Sequence, residues 1–289
     1  MTSQETWPLP IEDPIASGDQ KWLAGKVAVV AGGGLSGPLG NVGFGIAWLY
    51  ARGGASVAVL DRDREAGQRT VDAIRGQGGD AETFDVDITD DASVARAIAE
   101  VVQRFGNIDV VATTIGGGGI SPILEAPLDE WYSAIDVNCT SALLLMRNAY
   151  KHMNRGGSIV TVSSGAAEGR GPGLPYSVAK TALEKLSVGA ASSLAPHGIR
   201  VNCVRVGMIW GAFAARGMDE EMRELRRKNV ALQTEGTPWD IASAAYFLST
   251  DQARWISGQV LSVDGGGFAA VRNSGAAGSP RHRESRSEG

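Results

Sequence analysis

The chain has 289 residues, of which 43% are hydrophobic and 20% charged, and its formal net charge is -5. This length and apolar content suit one large domain with a full hydrophobic core. The negative balance, without a basic stripe, argues against a nucleic-acid partner, and no apolar run is long enough to span a membrane.

The cysteines and histidines narrow the class of protein further. Cys139 and Cys203 are the two cysteines, and both lie in apolar runs, which fits a reducing compartment; we expect a cytoplasmic protein. The histidines His152, His197 and His282 have no neighbouring ligands at metal spacing, so we expect no metal site. A Gly-x-Ser-x-Gly elbow is missing, which weakens a hydrolase interpretation.

The first predicted strand leads into a glycine-rich turn. Residues 1–24 are polar with three prolines and predict an extended arm. Residues 26–31 predict a buried strand, glycines follow from Gly32, and an apolar helix then runs to Arg52. Between a strand and a helix, such a turn lets backbone N–H groups approach a pyrophosphate. No Gly-Lys-Ser/Thr follows, which excludes a P-loop.

The second predicted strand, residues 56–60, ends on an acidic residue. Asp61 lies about twenty residues past the glycines, where a carboxylate can accept hydrogen bonds from the adenosine ribose and repel a 2′-phosphate. This favours NAD over NADP. Arg62 follows and keeps NADP open, because an arginine can also meet a phosphate.

Three reactive side chains lie in the middle of the chain, on a predicted strand at residues 157–164 and a predicted helix at residues 176–194. Tyr176 and Lys180 share a helix face, and a serine ends the strand before it. An ammonium beside a phenol favours the phenolate, so Tyr176 is suited to act as a general acid or base. Taken alone, Tyr-x-x-x-Lys more often marks an amphipathic helix with a snorkelling lysine.

The remaining elements complete an alternation of strands and helices. Residues 108–112 and 199–209 predict further strands, and residues 258–266 predict the last one. Residues 211–236 predict a lid over the substrate, with Phe213, Met218, Met222 and Leu225 facing inward. Residues 271–289 are Gly, Ser, Arg and Glu, which predicts a disordered tail. We therefore expect an α/β fold with a doubly wound, Rossmann-type parallel sheet of about seven strands in one domain, residues 25–270.

Tyr176-x-x-x-Lys180, Asp61 at its spacing and the terminal Val263-Asp-Gly-Gly266 together resemble the short-chain dehydrogenase/reductase family, over roughly residues 24–267. The resemblance implies that the active serine is Ser164 rather than Ser163. It also implies that Asn138 holds a water that relays protons from Lys180, which would reach the nicotinamide ribose as well.

The resemblance implies a set of cofactor-binding residues too. They are Gly32, Asn41, Val42, Gly43, Asp61, Arg62, Asp87, Ile88, Thr114, Gly116, Tyr176, Lys180, Gly207 and Ile209. Three segments depart from the family's pattern. The glycine turn has about five extra residues, so its Gly-x-Gly falls either on residues 41–43, which we prefer, or on residues 43–45. Thr113 and Thr114 replace two asparagines, and Val206 replaces a proline.

These features lead to a hypothesis of reversible hydride transfer between NAD and a secondary alcohol or ketone. The residues Gly117, Gly118, Gly119, Ile120, Trp210 and Phe213 suggest a small cyclic or hydrophobic substrate. Two alternatives stay open: an NADPH-dependent ketoreductase and a catalytically silent dinucleotide-binding sensor. The resemblance also implies a homotetramer or dimer, with helices at about 133–152 and 176–195 at one interface.

Overall fold

The computed structural model describes residues 21–122, 124–169, 173–212, 214–215 and 218–267. Its strands are β1 (Val27–Ala31), β2 (Ser56–Asp61), β3 (Ala81–Asp85), β4 (Ile108–Thr113), β5 (Met153–Ser164), β6 (Arg200–Val206) and β7 (Val260–Val263). Its α-helices are α1 (Val42–Arg52), α2 (Arg64–Gly76), α3 (Asp91–Phe105), α4 (Leu128–Ile135), α5 (Ser141–Ala149), α6 (Leu174–Leu194), α7 (Glu220–Lys228) and α8 (Pro238–Ser249).

The seven strands form one parallel sheet in the order β3-β2-β1-β4-β5-β6-β7. The chain builds outward from β1 to β3, then returns to the other side of β1 with β4. This reversal of strand order between β1 and β4 is the topological switch point, where open parallel sheets bind ligands beyond the carboxyl ends of their strands. The predicted doubly wound, seven-stranded sheet is confirmed.

Helices cover both faces of the sheet, which is why its central strands are apolar throughout. All five residues of β1 are buried. Ala28 and Val30 pack with α1, α2 and α8 on one face, while Val29 and Ala31 pack with α3, α5 and α6 on the other. Alternate residues of a strand point to opposite faces, so a strand covered on both sides reads as an unbroken apolar run.

The folded part begins earlier than the sequence suggested. Trp22 stacks on Tyr246 with ring centroids 5.8 Å apart, and Leu23 is buried with its N–H donating to the Gly53 carbonyl. The end of the predicted arm is therefore packed on the domain, because it carries two large apolar side chains. The rest of the arm, residues 1–20, and the predicted tail at residues 271–289 lie outside the described residues.

The predicted inward face of the lid is wrong for two residues. Met222 and Leu225, both on α7, are 49% and 51% exposed. The face of α7 that turns toward the protein carries arginines, and Arg223 and Arg226 bond to Glu235 and to the Ile209 carbonyl. Met218 is half-buried, and Phe213 lies outside the described residues.

Candidate active site

Two adjacent serines at the end of β5 point to different partners. The side chain of Ser164 is hydrogen-bonded to that of Tyr176 and also accepts the Ala166 N–H at 3.2 Å. The Ser163 hydroxyl is buried and donates to the Glu184 carboxylate at 2.8 Å. Neighbouring residues of a strand face opposite ways, so only one of the two can reach the tyrosine. The structure gives that position to Ser164.

Lys180 is held in the protein by backbone carbonyls. Its side chain is buried, its Nζ donates to the carbonyls of Ile115 and Val162 at 3.1 Å each, and it lies 5.8 Å from the centre of the Tyr176 ring. Burial lowers the Lys180 pKa to about 8. The ammonium therefore titrates near neutral pH while fixed beside the phenol.

The protonation of Tyr176 differs from the expectation that Lys180 makes the phenol unusually acidic. Burial raises the Tyr176 pKa above its ordinary value, and the hydrogen bond to Ser164 only partly offsets this. The lysine Nζ is directed at two carbonyls rather than at the phenol oxygen. Desolvation of the phenolate therefore outweighs the nearby cation, and Tyr176 is a neutral phenol that can donate a proton at neutral pH.

Asn138 lies in a widened helical turn opposite the lysine. The segment Asp136–Thr140 is a π-helical turn between α4 and α5, and its Asn138 side chain is buried. The amide donates to the carbonyls of Gly117 and Ala134 at 2.9 Å, and it accepts the Gly117 N–H at 3.1 Å. Single π-turns are often found at functional sites. Asn138 therefore lies both in a distorted helical turn and within the candidate site.

Gly116 is the point where the asparagine, the lysine and the end of β4 converge. A Cβ atom at this position would lie 2.8 Å from the Lys180 Nζ and 2.9 Å from the Asn138 Oδ1. Thr114, two residues earlier, donates its hydroxyl to the carbonyls of Ala31 and Gly32, at 3.1 Å each. The threonine that replaces an asparagine thus braces β4 to the end of β1.

The glycine-rich turn packs onto the switch point through Gly43. Asn41 caps α1 by accepting the Phe44 N–H at 2.7 Å, and Val42 is the first residue of the helix. A Cβ atom at Gly43 would overlap the Gly32 carbonyl oxygen and lie 2.7 Å from the Thr114 Oγ1. At Gly45 it would instead meet the α8 side chain of Ala242, at 3.1 Å. The geometry favours residues 41–43 as the Gly-x-Gly segment.

The extra residues of this turn fold over the β2–α2 connection. The Gly33 carbonyl accepts the Thr70 hydroxyl at 2.8 Å, and the Leu35 N–H donates to the Ala66 carbonyl at 2.9 Å. At the other end, the Gly40 carbonyl accepts the Ala212 N–H at 3.2 Å. The lengthened turn therefore reaches from α2 to the start of the region between β6 and α8.

Asp61 is the last residue of β2, at the end of the crevice where the resemblance places the adenosine. Its carboxylate accepts the Gly34 N–H at 2.9 Å and the Asp63 N–H at 3.0 Å. A Cβ atom at Gly34 would lie 2.6 Å from an Asp61 oxygen, so the bare backbone of the turn is what brings the two together. Arg62 is exposed and lies close enough to Asp87 to help lower the pKa of that carboxyl.

Asp87 and Ile88 follow β3 at the same end. The Asp87 carboxylate accepts the Thr89 hydroxyl at 2.6 Å and the Thr89 N–H at 3.0 Å, and these bonds hold its pKa below the usual range. Ile88 is buried. Asp90 caps α3 by accepting the N–H groups of Ala92 and Ser93.

Gly207 and Ile209 follow the last residue of β6 and are two of the residues that the resemblance assigns to cofactor binding. A Cβ atom at Gly207 would collide with Asp264, so this glycine lets the exits of β6 and β7 meet. The Ile209 N–H donates to the Gly207 carbonyl at 3.0 Å, and the Ile209 carbonyl accepts the Arg226 guanidinium at 3.3 Å. The backbone groups that the resemblance assigns to a carboxamide already have partners within the protein.

Sequence reasoning missed the ionic groups that surround these residues. Glu184 and Arg205 form a bidentate pair beneath the serines, with Nε–Oε1 and Nη2–Oε2 distances of 2.8 and 2.6 Å. Arg223 stacks on Trp210 with its guanidinium carbon 4.3 Å from the ring centroid, and it donates to Glu235 at 2.7 Å. Glu184 lies four residues after Lys180, a spacing that could have indicated it.

Within the described ranges, no group of three or more His, Cys, Asp or Glu side chains is placed to hold a metal ion. The helices of the described ranges include none that is long and apolar enough to cross a membrane.

A strip of backbone without side chains crosses the switch point, with Asp61 at one end and Lys180 at the other. It consists of Gly32, Gly34, Gly43 and Gly116. The strip fits a dinucleotide laid across the switch point.

Comparison with known proteins agrees with this geometry. Residues 39–267 match the family model described as enoyl-(acyl carrier protein) reductase. The chain is 33% identical over 248 residues to 3-oxoacyl-(acyl-carrier-protein) reductase of Chlamydia muridarum, covering 84% of this chain and 98% of that one. It is 32% identical over 252 residues to 7alpha-hydroxysteroid dehydrogenase of Escherichia coli, covering 86% and 96%.

A solved structure of 7 alpha-hydroxysteroid dehydrogenase complexed with NADH and 7-oxo glycochenodeoxycholic acid is similar as well. It has a TM-score of 0.80 and 31% identity, and the match covers 86% of this chain and 96% of that one. The matched family and relatives span most of the chain, including both ends of the crevice. The chain therefore belongs to the short-chain dehydrogenase/reductase family of oxidoreductases, which use a nicotinamide dinucleotide.

Proposed function

We propose that this protein catalyses reversible hydride transfer between NAD(H) and a secondary alcohol or ketone. The observation that carries the proposal is the Ser164–Tyr176 hydrogen bond beside the buried Lys180 ammonium. Bonded to a hydroxyl and flanked by a cation, the neutral phenol can pass a proton to a carbonyl oxygen, and the phenolate that remains can take a proton from an alcohol in the reverse direction. Ser164 and Tyr176 would bind that oxygen in either direction.

Each residue of the site has a separate task in this mechanism. Tyr176 moves the proton, and Ser164 holds the reacting oxygen by a hydrogen bond within reach of the phenol. Lys180 keeps positive charge beside the phenol oxygen while the proton is away, and Asn138 connects the lysine side of the site to a relaying water. A nicotinamide dinucleotide, when bound, supplies or accepts the hydride.

The cofactor would be held along the side-chain-free strip. Gly32, Asn41, Val42 and Gly43 would receive the pyrophosphate at the start of α1, where free N–H groups and the helix dipole favour an anion. Asp61, Arg62, Asp87 and Ile88 would surround the adenosine. Thr114, Gly116, Tyr176, Lys180, Gly207 and Ile209 would border the nicotinamide half.

NAD is the proposed partner because Asp61 lies at the ribose end with its carboxylate fixed by two N–H groups. A fixed carboxylate accepts hydrogen bonds from ribose hydroxyls and repels a 2′-phosphate. The Arg62 guanidinium attracts the Asp87 carboxylate. This attraction offsets part of the positive charge with which Arg62 could bind a 2′-phosphate. Tryptophan fluorescence titration with NADH and with NADPH separates the two cofactors; tighter NADPH binding would favour the ketoreductase alternative.

The substrate is proposed to be hydrophobic. Gly119 accepts the Tyr176 N–H at 3.0 Å, so the following Ile120 lies at the rim of the site, and it is 63% exposed. Leu174, two residues before the tyrosine, is 43% exposed. One relative and one similar structure have hydroxysteroid dehydrogenase names, which agrees with an apolar rim.

The experiment that tests the function is a panel of secondary alcohols and ketones, followed by NADH absorbance. Turnover with the wild-type protein and loss of turnover in Tyr176→Phe, with unchanged NADH binding, is the expected result. Normal rates in Tyr176→Phe would overturn the mechanism. Tight NADH binding without turnover across the panel would favour the sensor alternative.

Assembly and location complete the proposal. We propose a cytoplasmic homo-oligomer, a tetramer or a dimer, with α5 and α6 at one interface. Leu143 on α5 and Val188 on α6 are 39% and 36% exposed, although both are large and apolar. Light scattering coupled to size-exclusion chromatography measures the oligomer size, and a monomeric mass would contradict this part.

A further inference from the structure

The ionic cluster beneath the two serines consists of Ser163, Glu168, Glu184 and Arg205, on four different elements of the structure. Its central pair is largely buried, since the side chains of Arg205 and Glu184 are 14% and 12% exposed. Arg205 also forms an ion pair with Glu168. Buried ion pairs contribute little net stability, so the position of this one, against the catalytic residues, calls for another explanation.

The cluster connects both flanks of Ser164 to the same pair. On one side, Ser163 lies opposite Arg205 in the β5–β6 register and donates to Glu184. On the other side, Ser164 caps the short helical turn Gly165–Glu168, whose last residue is bound by Arg205. The residues before and after the catalytic serine are thus fixed to one guanidinium–carboxylate pair.

The cluster also connects the serine to the helix that carries Tyr176 and Lys180. Glu184 lies one helical turn after Lys180 on α6, and the Ser163 hydroxyl is 3.5 Å from the Lys180 carbonyl oxygen. Residues four apart share a helix face. Any shift of Glu184 would therefore change both the angle of α6 at the lysine and the end of β5.

Glu184 supplies negative charge to Lys180 as well. The groups that face the lysine are Glu184 on α6, Cys203 on β6, Cys139 in the π-turn and the Tyr176 phenol. Burial raises the pKa of both thiols, that of Cys203 to about 11 and that of Cys139 above its ordinary value. Cys203, Cys139 and Glu184 all raise the Lys180 pKa against burial, and because the thiols are neutral where Lys180 titrates, Glu184 is the one of these three that contributes a negative charge.

We propose that Glu184 and Arg205 are positioning residues for the proton-transfer machinery: they fix Ser164 against Tyr176 and hold positive charge on Lys180. The inference rests on the proposed function only for its kinetic consequence. The pair touches neither the reacting oxygen nor the phenol. It acts through Ser163, the Gly165–Glu168 turn and the neighbouring turn of α6.

The test compares Glu184→Gln and Glu184→Asp in the full-length protein. Glu184→Gln keeps the shape and removes the charge, so the Lys180 pKa falls below its wild-type value and kcat declines at a lower pH in the alkaline range. Glu184→Asp keeps the charge and shortens the side chain, so kcat falls with a nearly unchanged Lys180 pKa. We expect kcat losses of about 10- to 100-fold, since small displacements of reacting groups have effects of that size.

Two readouts keep this inference separate from the proposed function. The first is ¹⁵N NMR titration of the Lys180 Nζ, assigned by its loss in Lys180→Arg, which needs no turnover. The second is kcat and KM with NADH and a substrate. A lowered Lys180 pKa in Glu184→Gln supports the proposal even if the wild-type protein shows no turnover. A lack of turnover in the wild-type protein would contradict only the proposed activity.

The matched control is Glu82→Gln, which removes a carboxylate from the surface ion pair with Arg104, whose Nε–Oε2 distance is also 2.8 Å. It leaves the Lys180 titration and kcat unchanged. If Glu184→Gln does not fold, Ser163→Ala tests the same connection while keeping the Glu184–Arg205 ion pair, and kcat falls with an unchanged dinucleotide Kd. A Lys180 titration and a kcat equal to wild type in a folded Glu184→Gln, or in Ser163→Ala as the substitute, would overturn the proposal.

Discussion

The catalytic crevice and α7, which belongs to the predicted lid, are held by opposite means. In the crevice, Lys180 and Asn138 are buried and bond to backbone carbonyls of neighbouring elements. In α7 no residue is buried, and the helix is held by side chains, chiefly Arg223 on Glu235 and Trp210. Substituting a residue does not remove its backbone carbonyl as a hydrogen-bond acceptor, whereas it does remove a side chain that forms an ion pair or a ring contact. The chemistry is therefore rigidly placed, and the rim can change without unfolding the sheet.

The largest expected effect comes from removing the buried cation of the crevice. Lys180→Met removes the charge beside Tyr176 and should lower kcat by about 10²–10⁴-fold, the usual contribution of a positioned proton-transfer group. NADH binding at the adenosine end should persist. Steady-state kinetics and fluorescence titration check both; a variant with wild-type kcat would show that the lysine is only structural.

A second expected effect concerns packing at the switch point. Gly43→Ala places a Cβ atom onto the Gly32 carbonyl, and overpacking of this kind costs about 1–3 kcal/mol. Gly37 is in the same turn, and a Cβ atom added there would have no neighbouring atom within 4 Å, so Gly37→Ala is the matched control. Urea unfolding should separate the two variants. Equal stability would mean that the turn yields more easily than its packing implies.

A third expected effect is the pH dependence of stability. The folded pKa of Lys180 is about 8, below its ordinary value of 10.5, so the folded state binds fewer protons than the unfolded state between these pH values. Folding is therefore penalised below pH 8, and the penalty is relieved as pH rises toward 10.5. Relative to Lys180→Met, wild type should gain on the order of 1–3 kcal/mol across this window. Denaturant unfolding at several pH values measures it, and parallel curves would contradict the burial of the charge.

The smallest expected effect on stability comes from removing the ion pair and ring contact of Arg223, which hold α7. Arg223→Gln should change the free energy of unfolding by less than about 1 kcal/mol, because partly exposed ion pairs contribute little. Its KM for the substrate should nevertheless rise, since α7 belongs to the predicted lid over the substrate. Arg104 is the matched control: it pairs with Glu82 and lies 4.4 Å from the Phe105 ring centroid, far from the crevice. A change in KM for Arg104→Gln as well would remove the distinction between the two regions.

The apolar runs of the sequence predicted the sheet correctly because strands buried on both faces leave little freedom in their composition. Other features depended on partners distant in the chain. The orientation of α7 was predicted wrongly from Met222 and Leu225, since helical spacing does not show that arginines on the other face would bond to Glu235. The raised pKa of Tyr176 follows from burial, which one turn of sequence does not reveal. For the same reason the sequence indicated the positions of Tyr176 and Lys180 but not the carboxylate that accompanies the lysine.

The hydrogen bond between the Ala212 N–H and the Gly40 carbonyl joins one end of the lengthened glycine turn to the segment that follows β6. The turn is also fastened at its other end to α2, through the Gly33 carbonyl. Because its two ends are bonded to separate elements, a shift of α2 or of the segment after β6 would be transmitted along the turn from one to the other.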